Sequence, residues 1–441
     1  MSIFSRKLRP PAYPTWRPRD IFYGWWLVGV SVFMLTLMSV SVFQGLGTFL
    51  VALERQFGWS RTTLSGAFAL ARVQGAVIGP VEGYLIDRLG SRRMILIGYT
   101  IMGLGFLMLS QVNSVWQFYA GFIVVTLGSG LGGWLAIIAM VNNWFSRRRS
   151  FALATAMSGI HLGGFLVPVL ALGIDSHGFR ATTLGIGVFL LVLVYPVTRA
   201  IRNRPEDYGL RPDGDPPPSQ ASQSARSAAS PEGEAEFTPA QALRTRAFWI
   251  ITIVHVSSSV SIVTLALHLA PKLTDMGMSL SGAGIVVLTY TAIALPSQFV
   301  VGWFADKLPK PPVIFVFLML QAASIQIIAI ADTLPMVYLF AVLYGIGFGG
   351  RIPLLTAIRA DYFGRKAFAT IMGLSQFPNN IAMIGAPLFA GYMFDVRGSY
   401  FIPFTTFAAL NFVGAVLMLF VRRPRIARPS PLVAGQQRAD D

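Results

Sequence analysis

The chain has no cysteine in its 441 residues. Disulfides, thiolate metal sites and cysteine nucleophiles are thereby excluded. Charge is nearly as scarce: Asp, Glu, Lys and Arg make up 12% of the residues, where a soluble domain carries about 25%. Too little polar surface is left to clothe a water-exposed body. The four histidines are dispersed and no His-Glu-x-x-His occurs, so no metal site is expected. No Gly-Lys-Ser/Thr phosphate loop is present, which argues against ATP as a driving force. No enzyme motif emerges, and no cofactor is implied.

Apolar length is what the chain has. Hydrophobic residues make up 54%, there are 43 glycines, and the mean hydropathy is +0.61. A membrane-spanning helix needs about 20 mostly apolar residues. Twelve stretches qualify: 23–50, 60–86, 92–111, 115–142, 150–173, 179–199, 248–270, 280–305, 312–331, 335–360, 367–393 and 400–420. The expected fold is an all-α membrane protein of twelve transmembrane helices in two six-helix bundles. Residues 1–20 are read as an N-terminal tail, 21–200 as the first bundle and 247–421 as the second, with 422–441 as a C-terminal tail. Between the bundles, 201–246 contains Asp213-Gly214-Asp215-Pro216-Pro217-Pro218 and a Ser/Ala/Gln/Glu-rich run. It is too polar to bury a core and is expected to be a disordered linker. The first apolar stretch exceeds the ~7–15-residue core of a cleavable signal peptide and is read as a retained helix.

The net charge of +16 would suggest nucleic acid in a soluble protein. Here its placement argues for topology. With the N-terminus cytoplasmic, the opposite-side loops hold Arg55, Arg61, Arg180, Lys272 and Arg397, and two arginines, Arg72 and Arg351, lie within spans. The remaining 28 of 35 basic residues lie at or near the cytoplasmic side. This positive-inside bias puts both termini and the linker in the cytoplasm, with the bilayer of an inner or plasma membrane as partner and no nucleic acid.

The chain repeats itself. Gly83-Tyr84-Leu85-Ile86-Asp87-Arg88-Leu89-Gly90-Ser91-Arg92-Arg93 follows span two, and Gly302-Trp303-Phe304-Ala305-Asp306-Lys307-Leu308-Pro309-Lys310 follows span eight, offset by 219. Trp144-Phe145-Ser146-Arg147-Arg148 pairs with Tyr362-Phe363-Gly364-Arg365-Lys366 at 218, and Asp175-Ser176-His177-Gly178 with Asp395-Val396-Arg397-Gly398 at 220. Three matches at nearly one spacing mark a duplicated six-span unit.

The loop Gly83–Arg93 resembles the signature of the major facilitator superfamily, and the resemblance covers the chain outside its tails and linker. It implies the major facilitator fold, secondary active transport and alternating access by rocking of two halves. It implies gating roles for Gly83, Asp87, Arg88, Gly90, Arg92 and Arg93, and for Gly302, Asp306 and Lys307 in the second copy. By resemblance, Asp87 caps the positive N-terminus of span eleven and Asp306 that of span five, as latches of the outward-open state. Tyr23-Gly24-Trp25-Trp26, Phe57-Gly58-Trp59-Ser60-Arg61 and the Trp144–Arg149 run resemble the monocarboxylate-transporter-like branch, which includes oxalate/formate-type antiporters. The arginine of that branch in span eight is missing from Thr291-Ala292-Ile293-Ala294-Leu295-Pro296, and so is the lysine of oxalate-type relatives in span eleven. The usual anion site therefore does not carry over.

A charge at mid-membrane is costly and usually faces a polar cavity. Arg351 lies 12 residues before Phe363, about 18 Å deep at 1.5 Å per residue. It follows Gly347-Phe348-Gly349-Gly350, and its repeat partner is Trp134 after Gly132-Gly133. An arginine facing Trp134 across a cavity would suit a small organic anion, bound in a bidentate manner. Arg72, 15 residues before Asp87, either lines the outer half of the cavity or snorkels outward. His161 and His255 are the candidates for proton coupling, since histidine titrates near neutral pH. A lone helical histidine is more often a packed hydrogen-bonding residue. His268 is placed at the interface. Gln44, Tyr290, Gln376, Asn379 and Asn380 offer uncharged contacts, although such groups glue helices as often as they bind ligands. Pro378 is expected to interrupt span eleven.

The expected function is secondary active transport of a small, monocarboxylate-like organic anion, with protons as the candidate coupling ion. One rival is an exporter of amphipathic compounds: Gly159-Ile160-His161-Leu162-Gly163-Gly164 keeps the glycine spacing of such exporters but has Ile160 in place of proline. The other is a non-transporting membrane sensor, which a large soluble domain would support. A single copy would suffice for a transport path, and the sequence leaves the oligomeric state open.

Overall fold

The computed structural model describes residues 22–145, 148–214, 237–304, 308–363 and 368–424. The first half contains α1 (Tyr23–Ser39), a π-helical turn (Val40–Gln44), α2 (Leu46–Phe57), α3 (Arg61–Leu89), α4 (Ser91–Ser110), α5 (Val115–Gly132), α6 (Trp134–Trp144), α7 (Arg149–Phe165) and α8 (Val167–Ala200). The second half opens with the short α9 (Pro239–Leu243). It continues through α10 (Arg246–Asp275), α11 (Leu280–Phe304), α12 (Lys310–Ile330), α13 (Leu334–Phe363), α14 (Phe368–Arg397) and α15 (Phe401–Leu419).

Nine helical runs among the described residues are long and apolar enough to cross a membrane. One of them, Phe151–Ala200, is 50 residues long and contains two spans, because Gly178 (φ 80°, ψ 169°) turns the chain back. The other two spans are α3 and α14, 29 and 30 residues long. They come from opposite halves and pack against each other.

The duplication is visible in the turns. Gly58 (φ 68°) and Gly277 (φ 86°) repeat one left-handed turn, and Gly178 (φ 80°) and Gly398 (φ 68°) another, at the offsets read from the sequence. Only glycine adopts this backbone without cost. The copies diverge where Gly90 (φ 81°) is replaced by Pro309 (φ −61°).

The halves meet through three sets of helices: α2 with α10, α3 with α14, and α7 and α8 with α11. Glycines let them approach closely. A Cβ on Gly47 would lie 3.0 Å from the Leu267 carbonyl oxygen, and one on Gly284 2.9 Å from Pro168 Cα.

Two local expectations are corrected. Span eleven is not interrupted: α14 runs unbroken through Pro378 and Pro387. A proline removes one backbone donor, and neighbouring helices in a bundle compensate for that loss. The interruption falls instead in span one, at the π-helical turn before Gly45, and in span four, where Gly133 (φ −92°, ψ −120°) separates α5 from α6. The polar segment between the halves is anchored at both ends. Trp144 Nε1 donates to the Arg202 carbonyl at 3.0 Å, and Asn203 Oδ1 accepts from Arg92 N at 2.8 Å. Phe237 is buried, and its N–H donates to the Phe363 carbonyl at 3.1 Å.

Candidate functional site

Three layers of contact separate the ends of the molecule. The first lies where α3 begins. Arg61 is buried there at 4% exposure, although the sequence places it in a loop. Its Nε donates to Glu54 at 3.0 Å, and Nη1 and Nη2 donate to Asp275 at 2.6 and 2.8 Å. The guanidinium stacks 3.8 Å from the Phe394 ring centroid, and Nη1 also donates to Tyr400 Oη at 3.0 Å. One turn deeper, His268 is fully buried rather than interfacial. Its Nδ1 lies 2.9 Å from Tyr400 Oη, and its Nε2 lies 3.0 Å from the Pro387 carbonyl and 3.2 Å from Ser65 Oγ. These contacts close the Arg61 end.

The second layer is at mid-depth. The π-helical turn carries Gln44 inward, where Oε1 accepts from Tyr290 Oη across the halves at 2.6 Å. His161 Nε2 lies 2.7 Å from Gln298 Oε1, again across the halves. Both contacts leave an orphan: Gln44 Nε2 and His161 Nδ1 are buried with no hydrogen-bond partner among the described residues. Phe348 edges onto the His161 ring at 5.2 Å and onto the Tyr290 ring at 6.3 Å, tying the two contacts together.

The third layer is a cavity of about 520 Å³ on the far side of these contacts. That volume falls in the range of roughly 300–1,000 Å³ usual for small-molecule sites. Its wall comes mainly from the first half, with Asn380 and Met383 contributed by α14. Arg72 and Glu82 of α3 both line it, with Gln74 between them. Arg72 lies 4.7 Å from the Phe68 ring centroid and has no carboxylate partner among the described residues. Gln74 is braced by Thr126, whose Oγ1 donates to its Oε1 at 3.0 Å. Trp134 stands in the wall, 39% exposed, where the break at Gly133 starts α6. Among the described residues, no hydrogen bond or ion pair joins the halves between this cavity and the end at Leu89.

The other sequence candidates are distributed differently. Arg351 is not in the described wall opposite Trp134. It is buried at 5% exposure in the unbroken α13, and its Nε and Nη1 have no hydrogen-bond partner among the described residues. Gln44, expected to face the cavity, is instead held by Tyr290. His255 Nδ1 accepts from Arg359 Nη2 at 3.0 Å. Asn379 Nδ2 donates to Gln376 Oε1 at 3.0 Å on the same helix, while Asn380 reaches the cavity. Of the gate residues, Arg88 Nη1 donates to Tyr84 Oη at 2.9 Å, and Arg92 is held by Asn203 as above. Gly90 supplies the turn, with Arg93 exposed beside it. Gly83 and Asp87 lie within α3 and Gly302 within α11, with the Asp87 side chain outside the description; Asp306 and Lys307 lie outside the described residues.

Arg61, Asp275, His268 and Arg359 are the residues that sequence reading missed. The Asp175 and Asp395 runs, which share their Asp and Gly, were the one available signal, and they pointed to this end of the molecule.

A family profile of the Major Facilitator Superfamily matches residues 32–281 and 249–439. Among curated proteins, the chain is 26% identical to human (Homo sapiens) monocarboxylate transporter 11 over 92% of its own length and 84% of the relative's. It is 23% identical to mouse (Mus musculus) monocarboxylate transporter 12 over 90% and 86%, respectively. In fold it is similar to a bacterial homolog of the human lysosomal transporter Spinster, solved in an inward-facing and occupied conformation. The TM-score is 0.66 at 13% identity, covering 93% of this chain and 100% of that one. The chain therefore belongs to the Major Facilitator Superfamily as a multi-pass membrane protein, and it is similar over most of its length to monocarboxylate transporters.

Proposed function

We propose that the protein carries a small organic anion by alternating access, and that the cavity lined by Arg72 is where the anion sits. The observation that supports this is the Arg72 guanidinium, which lines a cavity of about 520 Å³ without an acidic partner among the described residues. A guanidinium presents paired donors that match a carboxylate, and a charge held away from bulk water gains most from such a partner. Arg351, buried in the second half with Nε and Nη1 unpartnered among the described residues, takes the anion as the halves rearrange. Trp134, Asn380 and Gln74 flank Arg72 and set the size and polarity of the cargo.

The positive-inside bias places both termini in the cytoplasm of an inner or plasma membrane. On that assignment, the Arg61 end is external and shut, and the cavity faces the cytoplasm. His161, which joins the halves through Gln298 and whose Nδ1 has no partner among the described residues, is the proton-coupling candidate. His255 is the weaker one, because Arg359 already occupies its Nδ1.

Uptake of labelled mono- and dicarboxylates into proteoliposomes tests this reading. Wild type is expected to accumulate at least one of them, and Arg72→Gln and Arg351→Gln to lose it. The reading falls if no carboxylate moves, or if Arg72→Gln transports one normally. The exporter reading draws on the apolar share of the wall, which includes Met38, Phe43 and Phe122. It is favoured if amphipathic cations move and Arg72→Gln leaves that movement intact.

A further inference from the structure

The two halves begin their second helices in the same way. Ser60 Oγ accepts from Thr63 N at 3.1 Å and caps α3; Ser279 Oγ accepts from Gly282 N at 3.0 Å and caps α11. Two residues after each serine stands a hydroxyl, Thr62 in the first half and Ser281 in the second. An aspartate from the opposite half meets each of them. Asp395 of α14 accepts from Thr62 N at 2.9 Å, from Arg61 N at 3.3 Å and from the Thr62 hydroxyl. Asp175 of α8 accepts from Ser281 Oγ at 3.0 Å. The aspartates are themselves repeat partners, and each lies three residues before a left-handed glycine, Gly178 or Gly398. The pseudo-twofold axis therefore exchanges two contacts, each of which joins the halves.

The copies are unequal. Asp395 takes two backbone N–H groups at a helix start, where unsatisfied donors and the helix dipole favour a carboxylate. Asp175 takes the hydroxyl alone and shares its charge with Arg55, 3.7 Å away in its own half. Arg61 in the first copy is matched by Leu280 in the second, so the ionic bolt to Asp275 has no counterpart.

We propose that Asp395 with Thr62 and Asp175 with Ser281 form a duplicated latch that holds the Arg61 end shut, and that both halves of the latch release together when that end opens. Opening returns each carboxylate and each helix start to water, so the latch is reversible. Symmetry makes release concerted: a rocking motion about the pseudo-twofold separates both contacts at once. The Asp395 side is the stronger, because it satisfies backbone donors as well as a hydroxyl. The proposal rests on alternating access but not on the cargo being an anion.

The chain's lack of cysteine makes site-specific labelling direct. Spin labels on Gln56→Cys and Thr333→Cys, exposed at the Arg61 end in opposite halves, report opening there in nanodiscs. A second pair, Arg204→Cys and Leu308→Cys, reports the other end. The expected result for Asp395→Asn is a longer distance at the Arg61 end and a shorter one at the other. Its open population should rise roughly five- to tenfold, on the scale of a lost helix cap. Asp175→Asn should shift both pairs in the same directions by a smaller factor. Reciprocal movement separates a released latch from a loosened fold. Unchanged distances in both variants, or lengthening at both ends, overturn the latch. If the distances shift while no carboxylate is transported, the latch stands and the anion assignment falls.

Discussion

Arg61 and Asp275 form a two-pronged ion pair, Nη1 to Oδ2 at 2.6 Å and Nη2 to Oδ1 at 2.8 Å, that bolts the first half to the second at the Arg61 end. The arginine is 4% exposed and the aspartate 35%, so the pair is anchored on one side and solvated on the other. Removing one member of a buried pair costs up to ~3–5 kcal/mol, and the exposure of Asp275 discounts that to about 1–3 kcal/mol. Arg61→Gln should therefore open the Arg61 end. Ala270→Cys, buried against Gly47 in the closed state, should then react at least fivefold faster with a membrane-impermeant thiol reagent. An unchanged rate would show that the bolt does not hold the end shut.

Arg72→Gln should lower kcat/KM for a carboxylate cargo about tenfold or more, in line with the ~1.5–3 kcal/mol of a hydrogen bond to a charged group. Arg72→Lys should recover only part of this, since an ammonium keeps the charge but not the paired fork. Full recovery by lysine would mean that charge alone matters at this position.

Tyr290→Phe removes a hydrogen bond between the halves and leaves Gln44 Oε1 unpaired. The loss is expected to be about 1 kcal/mol, or roughly fivefold in the equilibrium between the two facing states. Gln44→Leu should act in the same direction, and the double variant should cost less than the sum of the two. Spin-label distances at both ends measure each corner of that cycle. Strict additivity would show that the two residues do not act through each other.

Gly284→Val would press a side chain into Pro168, where a Cβ already comes within 2.9 Å of its Cα. The Arg61 end should then fail to close, abolishing transport while the protein still folds. Gly29→Val is the control, because nothing lies within 4 Å of a Cβ there. Equal transport by both variants would contradict the tight approach of α8 and α11.

The sequence revealed far more of the fold than of the site, for physical reasons. Spans are legible because every residue of a lipid-exposed helix contributes to one apolar sum, and the repeat because the runs at Asp87, Trp144 and Asp175 recur at nearly one spacing, the last ending on the turn glycines Gly178 and Gly398. Arg61 was misplaced because a residue one position inside a helix looks like a loop charge until its partners are known. Those partners, Asp275 and Asp395, lie more than 200 residues away. His268 was read as interfacial for the same reason: burial at a junction of halves is a long-range property. Arg72 was identified as a residue that could line the path, and the structure gives it the place in the cavity wall that the symmetry argument had assigned to Arg351 opposite Trp134. Arg351 itself lies outside the described wall, buried in α13, which runs on where span four breaks at Gly133.

Counterflow tests the account most directly. Proteoliposomes are loaded with an unlabelled carboxylate identified in the uptake panel and diluted into a trace of the labelled compound. The account predicts a transient overshoot of label in wild type, as one site is exposed alternately to the two sides, and its loss in Arg72→Gln. Simple equilibration without overshoot in wild type, or an undiminished overshoot in Arg72→Gln, would contradict it.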